Sequence, residues 1–450
     1  MVRFFLIFFM LLRITETIPA QDSSSVSLQF CIEYALKNSY LQKSLELDIR
    51  QRQVGLHQKK TGFLPKVDSY AHYFNYFNDL PTYIFPEKEG FILSEGNSDR
   101  FYPVELGLPH NLNIGIKLNQ VIYDQNFFLA NKYKTNLITL NQLSSRLTKE
   151  EIVYNVSQTY YQAASLKAQI DLVEFNSERI EKIERMLDSQ IENGFARTSD
   201  KSKILIGRSK LITQKNKAES GYEQMLNYLK FQIGMPVEEK IDIYTDDFNP
   251  DIASLPDTTA PNEDIRLQLM ESQIEINHLQ EEQIKNDYYP KLNAFAHFRF
   301  QAQRDAFNFF DGNESWYLIN LFGVRLDIPI IHGGEKRKNL ELAEIKSSQM
   351  ELARIQLQES LKMDYTNAKN ELYNSIESVH LWEENLKIAK NAYDQSSALF
   401  EEGLAMLNEL LDAEADYREM QAELVKARYA HKIAEITYLK SAGHLINFAE

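Results

Sequence analysis

Cysteine is all but absent: the 450-residue chain has one, Cys31, which excludes an intrachain disulfide framework and every multi-cysteine metal site. Cys31 itself reads as a buried small apolar residue. Basic residues are in deficit, 49 against 64 acidic, and a net charge of −15 argues against a non-specific nucleic-acid surface. No long uncharged apolar run exists beyond the N-terminus, which excludes a helical membrane protein. Enzyme signatures are missing as well: there is no G-x-S-x-G, no glycine-rich phosphate loop, no H-E-x-x-H and no C-x-x-C. The nine histidines are scattered, so neither a catalytic centre nor a resident metal or cofactor is expected. Proline and glycine are scarce too, 12 and 16 in all, and their distribution organises the chain.

What is present begins with an export signal. Arg3 supplies a positive start, Phe4 to Leu12 is a nine-residue apolar core, and Ile18-Pro19-Ala20 precedes Gln21 as a cleavage site. Nine residues are too few to span a bilayer, which takes about 20. Residues 1–20 are therefore expected to be a signal peptide, and Cys31 lies too deep for a lipidation cysteine at that cut.

Three stretches then lack both proline and glycine: 78 residues from Ile116 to Asn193, 68 from Glu335 to Glu402, and 39 from Leu404 to Ala442. Runs of that length predict long helices. Steps of three and four from Tyr365 pass Ala368, Leu372, Ser375, Val379, Trp382, Leu386, Ala389, Tyr393, Ser396 and Phe400. From Leu410 they pass Ala413, Tyr417, Met420, Leu424, Ala427, His431, Ala434 and Tyr438. Two serines and His431 interrupt otherwise apolar seams, the pattern of coiled-coil-like helices packed in pairs.

The chain also repeats itself. Leu64-Pro65-Lys66-Val67-Asp68 aligns with Tyr289-Pro290-Lys291-Leu292-Asn293, and Gly115 to Asn119 aligns with Gly323 to Asp327. Gly194-Phe195-Ala196 aligns with Gly403-Leu404-Ala405, and Gly234 with Gly443, at a spacing of 40 in both halves. Four matches in order predict two structural repeats. Pro65 to Gly115 is 17 residues longer than Pro290 to Gly323, which places an insertion between Asn75 and His110. Between each aligned proline and glycine lie two strand-like segments that alternate apolar and polar residues. Leu112, Ile114, Ile116 and Leu118 alternate with Asn111, Asn113, Gly115, Lys117 and Asn119 in one of them. A soluble hairpin gives that alternation, and so does a transmembrane β-strand. Four such strands in an exported chain without a helical span favour the membrane barrel. Four cannot close, and about eight leave no open lumen, so an open pore requires at least a trimer of 12 strands.

Two strand-and-long-hairpin repeats, Gly323 to Gly334 with Pro329, and Glu402-Gly403-Leu404 through Leu410-Leu411-Asp412-Ala413 to Ala442-Gly443 resemble the TolC family of outer-membrane efflux proteins, over about residues 26–447. The resemblance implies a fold of α-helices plus membrane β-strands: a homotrimeric 12-stranded β-barrel continued by an α-helical barrel. It implies a channel subunit for efflux or type I secretion in the outer membrane of a Gram-negative bacterium. The helical barrel would lie in the periplasm and meet a periplasmic adaptor and an inner-membrane transporter. The expected organisation is a signal peptide at 1–20 and a first repeat at 21–234, with strands near 64–76 and 110–122 and a hairpin tip near 194. An acidic, proline-containing equatorial linker follows at 235–261. The second repeat is 262–450, with strands near 289–302 and 315–328 and a tip near 403. An exported coiled-coil scaffold with a soluble β-domain and no transport role is the alternative.

The resemblance also assigns roles. Gly194, Phe195, Gly403 and Leu404 stand at the tips that would meet the adaptor. Glu409 and Asp412 fall where the family carries the acidic rings of its constriction; being three apart they share a helix face, and a solvated acidic face would show the same spacing. Asp200 matches a position that locks the closed tip. The usual basic partner is replaced by Ala405 and the usual tyrosine by Phe400, which leaves Arg197 as the substitute partner.

Overall fold

Without proline or glycine to break the ladder of backbone hydrogen bonds, a helix continues until a residue forces it to stop. The computed structural model describes residues 25–77, 80–86, 101–194, 196–245 and 264–446. The first half runs β1 (Ser25–Val26), α1 (Leu28–Asn38), α2 (Tyr40–Thr61), β2 (Lys66–Asn75), β3 (Thr82–Pro86), β4 (Phe101–Glu105), β5 (His110–Tyr123), α3 (Leu129–Glu192) and α4 (Lys201–Ile233). The second runs β6 (Asp242–Ile243), α5 (Ile265–Asn286), β7 (Lys291–Arg304), β8 (Tyr317–Asp327), α6 (Glu335–Glu401) and α7 (Leu407–Ser441). The signal segment 1–20, most of the linker and the tip residue Phe195 lie outside the described residues. No helix among the described residues is long and apolar enough to cross a membrane.

The aligned glycines of the two repeats share their backbone conformation. Gly194 and Gly403 have φ of 79° and 77°, and Gly234 and Gly443 have φ of 79° and 75°. Each ends a long helix in the left-handed conformation that glycine adopts without strain. After three of them the next amide donates back across the last turn: Met235 N to Lys230 O at 2.8 Å, Leu404 N to Leu399 O at 2.8 Å, and His444 N to Leu439 O at 2.9 Å. At Gly234 a Cβ would also meet Asn38 O at 2.4 Å, so no side chain fits there. Gly207 and Gly221 do not break α4, which passes through both.

The chain divides into two units, one from the described residues of 1–47, 142–269 and 355–450, the other from 48–141 and 270–354. In the first unit the α6–α7 seam is buried as the three-four spacing predicts. Tyr365, Ala368 and Leu372 pack on Ala434, Tyr438 and Ala442, and Val379 packs on Leu424 and Ala427. Two of the interruptions solve each other. Ser375 Oγ donates to Leu372 O at 2.7 Å, so its hydrogen is used, and Ser375 Oγ in turn accepts from His431 Nδ1–H at 2.9 Å. Burial lowers the His431 pKa, which favours this neutral imidazole. A second core joins α1, α3, α4 and α7 through Cys31, Ile32, Val156, Ala163, Leu229 and Ile436. The Cys31 thiol is fully buried there and pushed up to about 12, so it is an inert packing group. The start of the linker is anchored: β6 pairs in parallel with β1, and Asp242 accepts from Lys167 Nζ at 2.5 Å and Tyr222 Oη at 2.6 Å.

The second unit holds an antiparallel four-stranded sheet of order β2-β5-β7-β8. Its centre joins the two repeats, with Ile116 opposite Phe298 and Lys117 opposite His297. The register sorts the side chains by face. One face carries Val67, Ala71, Ile114, Ile116, Phe298, Phe300, Phe322 and Val324, and over all four strands it has no aspartate, glutamate or lysine. Its one formal charge is Arg304 at a strand end. The other face carries Lys66, Asp68, His72, Lys117, His297, Arg299, Arg325 and Asp327. Gly115 and Gly323 permit close approach: a Cβ on Gly115 would meet Phe298 O at 2.6 Å, and one on Gly323 would meet the Phe295 ring at 2.9 Å. Both outer strands, β2 and β8, have one unpaired edge among the described residues.

The insertion brings a feature that the alternation pattern did not reveal. β3 and β4 form an extra antiparallel hairpin, Thr82 opposite Glu105 and Pro86 opposite Phe101. Pro86 and Pro103 sit within these strands, where proline argues against a strand in a sequence reading; a two-stranded ribbon has outward edges that tolerate it. After β7 the chain folds back so that Phe309 is buried, its ring 5.9 Å from Tyr73 and 6.5 Å from Trp316. Arg304 Nη2 supports this turn by donating to Ser315 O at 2.9 Å.

Candidate functional site

Both hairpin tips belong to the first unit, and their geometry follows from their turn glycines. Beyond Gly194 a short 3₁₀ turn, Thr198–Asp200, leads into α4; beyond Gly403 the chain enters α7 at Leu407. Apolar residues from four helices close the space between them: Ile183 and Leu187 from α3, Ile204 and Leu211 from α4, Phe400 from α6 and Leu410 from α7. Gln190 crosses from α3 to cap the end of α6, donating to Phe400 O and Glu401 O, both at 3.1 Å. Leu404 is 72% exposed beside its glycine, a position no packing demand explains.

Asp200 pairs with Lys203 at 3.0 Å, and that bond, with further help from Arg197, holds its carboxyl below the usual range. Lys203 also donates to Asn408 Oδ1 at 2.8 Å, so the same ammonium links the start of α4 to the start of α7. Arg197 is exposed and makes no ion pair with Asp200 among the described residues; its carbonyl accepts from Asp200 N at 3.0 Å. Phe400 is buried and Ala405 packs against the tip core, so both positions serve packing.

Glu409 and Asp412 are exposed on the first turns of α7. The Glu409 carboxylate accepts weakly from Met406 N at 3.4 Å and suits the positive end of the helix. Asp416 and Glu419, also exposed, continue the same three-four spacing. The acidic face is thus longer than two residues.

One carboxylate nearby behaves differently. Glu414 is 1% exposed and faces α3. Arg418 lies 3.1 Å from one of its oxygens and Arg179 3.9 Å from the other. The Arg179 guanidinium is stacked among rings, 4.4 Å from Tyr417 and 5.3 Å from both Tyr393 and Phe175, and it donates to Gln421 Oε1 at 3.1 Å. Burial raises the Glu414 pKa against the opposing pull of the two arginines. This cluster ties α3 to α6 and α7. Among the described residues no group of three or more His, Cys, Asp or Glu side chains could hold a metal ion.

Residues 265–444 match the outer membrane efflux protein family model. That stretch is two-fifths of the chain and falls within the second repeat, which is therefore the part similar in sequence to that family. The matched stretch includes the Gly403-to-Gly443 segment that carries the sequence resemblance. No curated protein matches the chain in sequence. Solved structures extend the likeness to both repeats. VceC, an outer membrane protein of Vibrio cholerae, is 14% identical with a TM-score of 0.69, over 92% of this chain and 96% of its own. The CmeC outer membrane channel of Campylobacter jejuni is 14% identical with a TM-score of 0.72, over 93% and 86%. The open state of the MtrE outer membrane channel of Neisseria gonorrhoeae is 14% identical with a TM-score of 0.68, over 94% and 95%. The first repeat, less close to the family in sequence, therefore shares this fold.

Proposed function

We propose that the chain is a subunit of an outer-membrane channel, a passive duct in a tripartite efflux or type I secretion system of a Gram-negative bacterium. The observation that carries this reading is the sheet: one face free of acids and lysine, the other polar, and two open edges. Unpaired edges are costly in lipid, and pairing β8 of one copy with β2 of the next removes them. Three copies make a 12-stranded barrel, and the paired helices continue the duct into the periplasm. A periplasmic adaptor and an inner-membrane transporter complete the path. The scaffold alternative has no support in the family match, and it leaves the apolar face uncovered.

In this reading the tips meet the adaptor. The exposed Leu404 and its repeat counterpart Phe195 give apolar anchors beside the turn glycines Gly403 and Gly194. Replacing both with aspartate is expected to abolish export while trimer levels stay unchanged; normal export from that variant would count against the contact. Asp200 and Arg197 are the gate-lock candidates, with Lys203 and Asn408 supplying the link from α4 to α7.

Glu409 and Asp412 would form two rings of three carboxylates at the narrow end. Like charges so placed favour cations and bind hard divalent ions through oxygen. Planar-bilayer recording tests this together with the channel reading. Wild-type protein should conduct with cation preference and be blocked by divalent cations, and Glu409→Ala with Asp412→Ala should lose both properties. Equal selectivity in the two proteins would show that these residues only solvate a helix face.

A further inference from the structure

The polar face of the sheet has its own charge, opposite in sign to the chain as a whole. Across β2, β5, β7 and β8 it carries five fixed cations, Lys66, Lys117, Lys291, Arg299 and Arg325, against two acids, Asp68 and Asp327. Lys291 is paired with Asp124 and Asp287, and Arg325 with Asp327. Lys117 and Arg299 make no ion pair among the described residues. They sit in adjacent rows of the register: Asp68, Lys117 and His297 in one, Tyr70, Gly115 and Arg299 in the next. Gly115, between Tyr70 and Arg299, lets the Arg299 backbone approach closely. A flat ring covers Lys117, and the polar face carries further rings beside it. Lys117 Nζ lies 4.4 Å above the Tyr70 ring, which is 5.0 Å from His72, and Phe295 is 5.5 Å from His297.

We infer that this face forms an anion-attracting lining that favours solutes combining negative charge with an aromatic ring. The inference rests on the channel reading, in which the polar face lines the pore. Threefold repetition then places three copies each of Lys117 and Arg299 around the barrel. Free guanidinium and ammonium groups attract sulfonates and carboxylates, and Tyr70, His72, Phe295 and His297 offer faces for ring stacking. A low-dielectric wall focuses such a field along the pore axis. In that reading the barrel lining is basic although the chain as a whole is acidic.

Planar bilayers with full-length protein test it, using a pyrene tetrasulfonate as the probe and butane tetracarboxylate as a ring-free anion. Wild-type channels should be blocked by the pyrene at lower concentration than by the ring-free anion. Lys117→Gln with Arg299→Gln should weaken pyrene block about tenfold, the low end of what a focused field gives, and shift the reversal potential in a KCl gradient toward cation selectivity. Asp68→Asn removes the acid opposite Lys117 and should move both readings the other way. Glu409→Ala with Asp412→Ala should leave pyrene block unchanged. Conducting channels in which neither sheet variant alters block or reversal potential would overturn the inference while leaving the channel reading intact. Equal block by the two anions would overturn its aromatic part. Purified wild-type protein that forms no conducting pore would overturn the channel reading and this inference with it.

Discussion

Ile116→Arg is expected to destabilise the bilayer-inserted protein by about 2–4 kcal/mol, the cost of a basic side chain near the midplane of a lipid-facing strand. Ile116 lies in the middle of β5, opposite Ser69 on one side and Phe298 on the other, on the face without aspartate, glutamate or lysine. Ile116 and Phe298 are 47% and 50% exposed within one chain, and Phe322 on β8 is 86% exposed. So much contiguous apolar surface on one sheet needs a cover. Lipid is the cover in the channel reading, and an arginine there must be desolvated. A water-facing sheet predicts the reverse, because a charge on its exposed face costs nothing and improves solubility. Gln301→Arg, on the polar face of β7, is the control and should change stability by less than about 0.5 kcal/mol. Urea titration in lipid vesicles followed by tryptophan fluorescence measures both. Equal stability of the two variants would remove the main support for a membrane barrel.

The strands were legible because a period of two survives in each segment: one residue of slip would have put Lys117 among Ile114 and Phe298. The tips were legible because glycine alone fits a φ near 79° without strain, so the repeat had to keep it at 194 and 403. The β3–β4 hairpin was hidden by Pro86 and Pro103, which break the pattern without breaking a two-stranded ribbon. Which strands pair across the repeats, β5 with β7, is not written in either strand, since both present the same alternation to any neighbour. The buried Glu414 was missed for another reason. Stepping by three and four from Leu410 follows the side of α7 that meets α6, through Ala413 and Tyr417. α7 is also covered on its α3 side, where Glu414 faces Arg179 and Tyr154 Oη lies 3.3 Å from Thr437 Oγ1. A helix buried on two sides has no single seam. Glutamate between Asp412 and Asp416 looked like one more acid on a wet face.

Glu414→Ala is expected to cost about 3–5 kcal/mol, the range for breaking a buried ion pair and leaving its partner uncompensated. The arginines left behind differ: Arg418 is about one-fifth exposed and can turn toward water, whereas Arg179 is held among three rings with its side chain 8% exposed. Arg179→Ala should cost a similar amount at neutral pH, but the orphaned group is then a carboxyl, which can take up a proton. Its damage should therefore shrink as pH falls, while that of Glu414→Ala should not. The linkage has a definite sign in the wild type. Burial raises the Glu414 pKa above its ordinary 4.5, so the folded state holds the proton to higher pH than the unfolded state does. The resulting stabilisation is fully present below 4.5 and is lost as pH rises through the folded-state value. Glu414→Gln lacks this titration, so wild-type stability should fall relative to Glu414→Gln as pH is raised across that window. Taking the difference between the two proteins cancels every other titrating group. Urea unfolding of the detergent-solubilised protein at a series of pH values measures it. A pH-independent difference, with Glu414→Ala within about 1 kcal/mol of wild type, would mean that the α3–α7 clamp is held by its aromatic rings rather than by its charges.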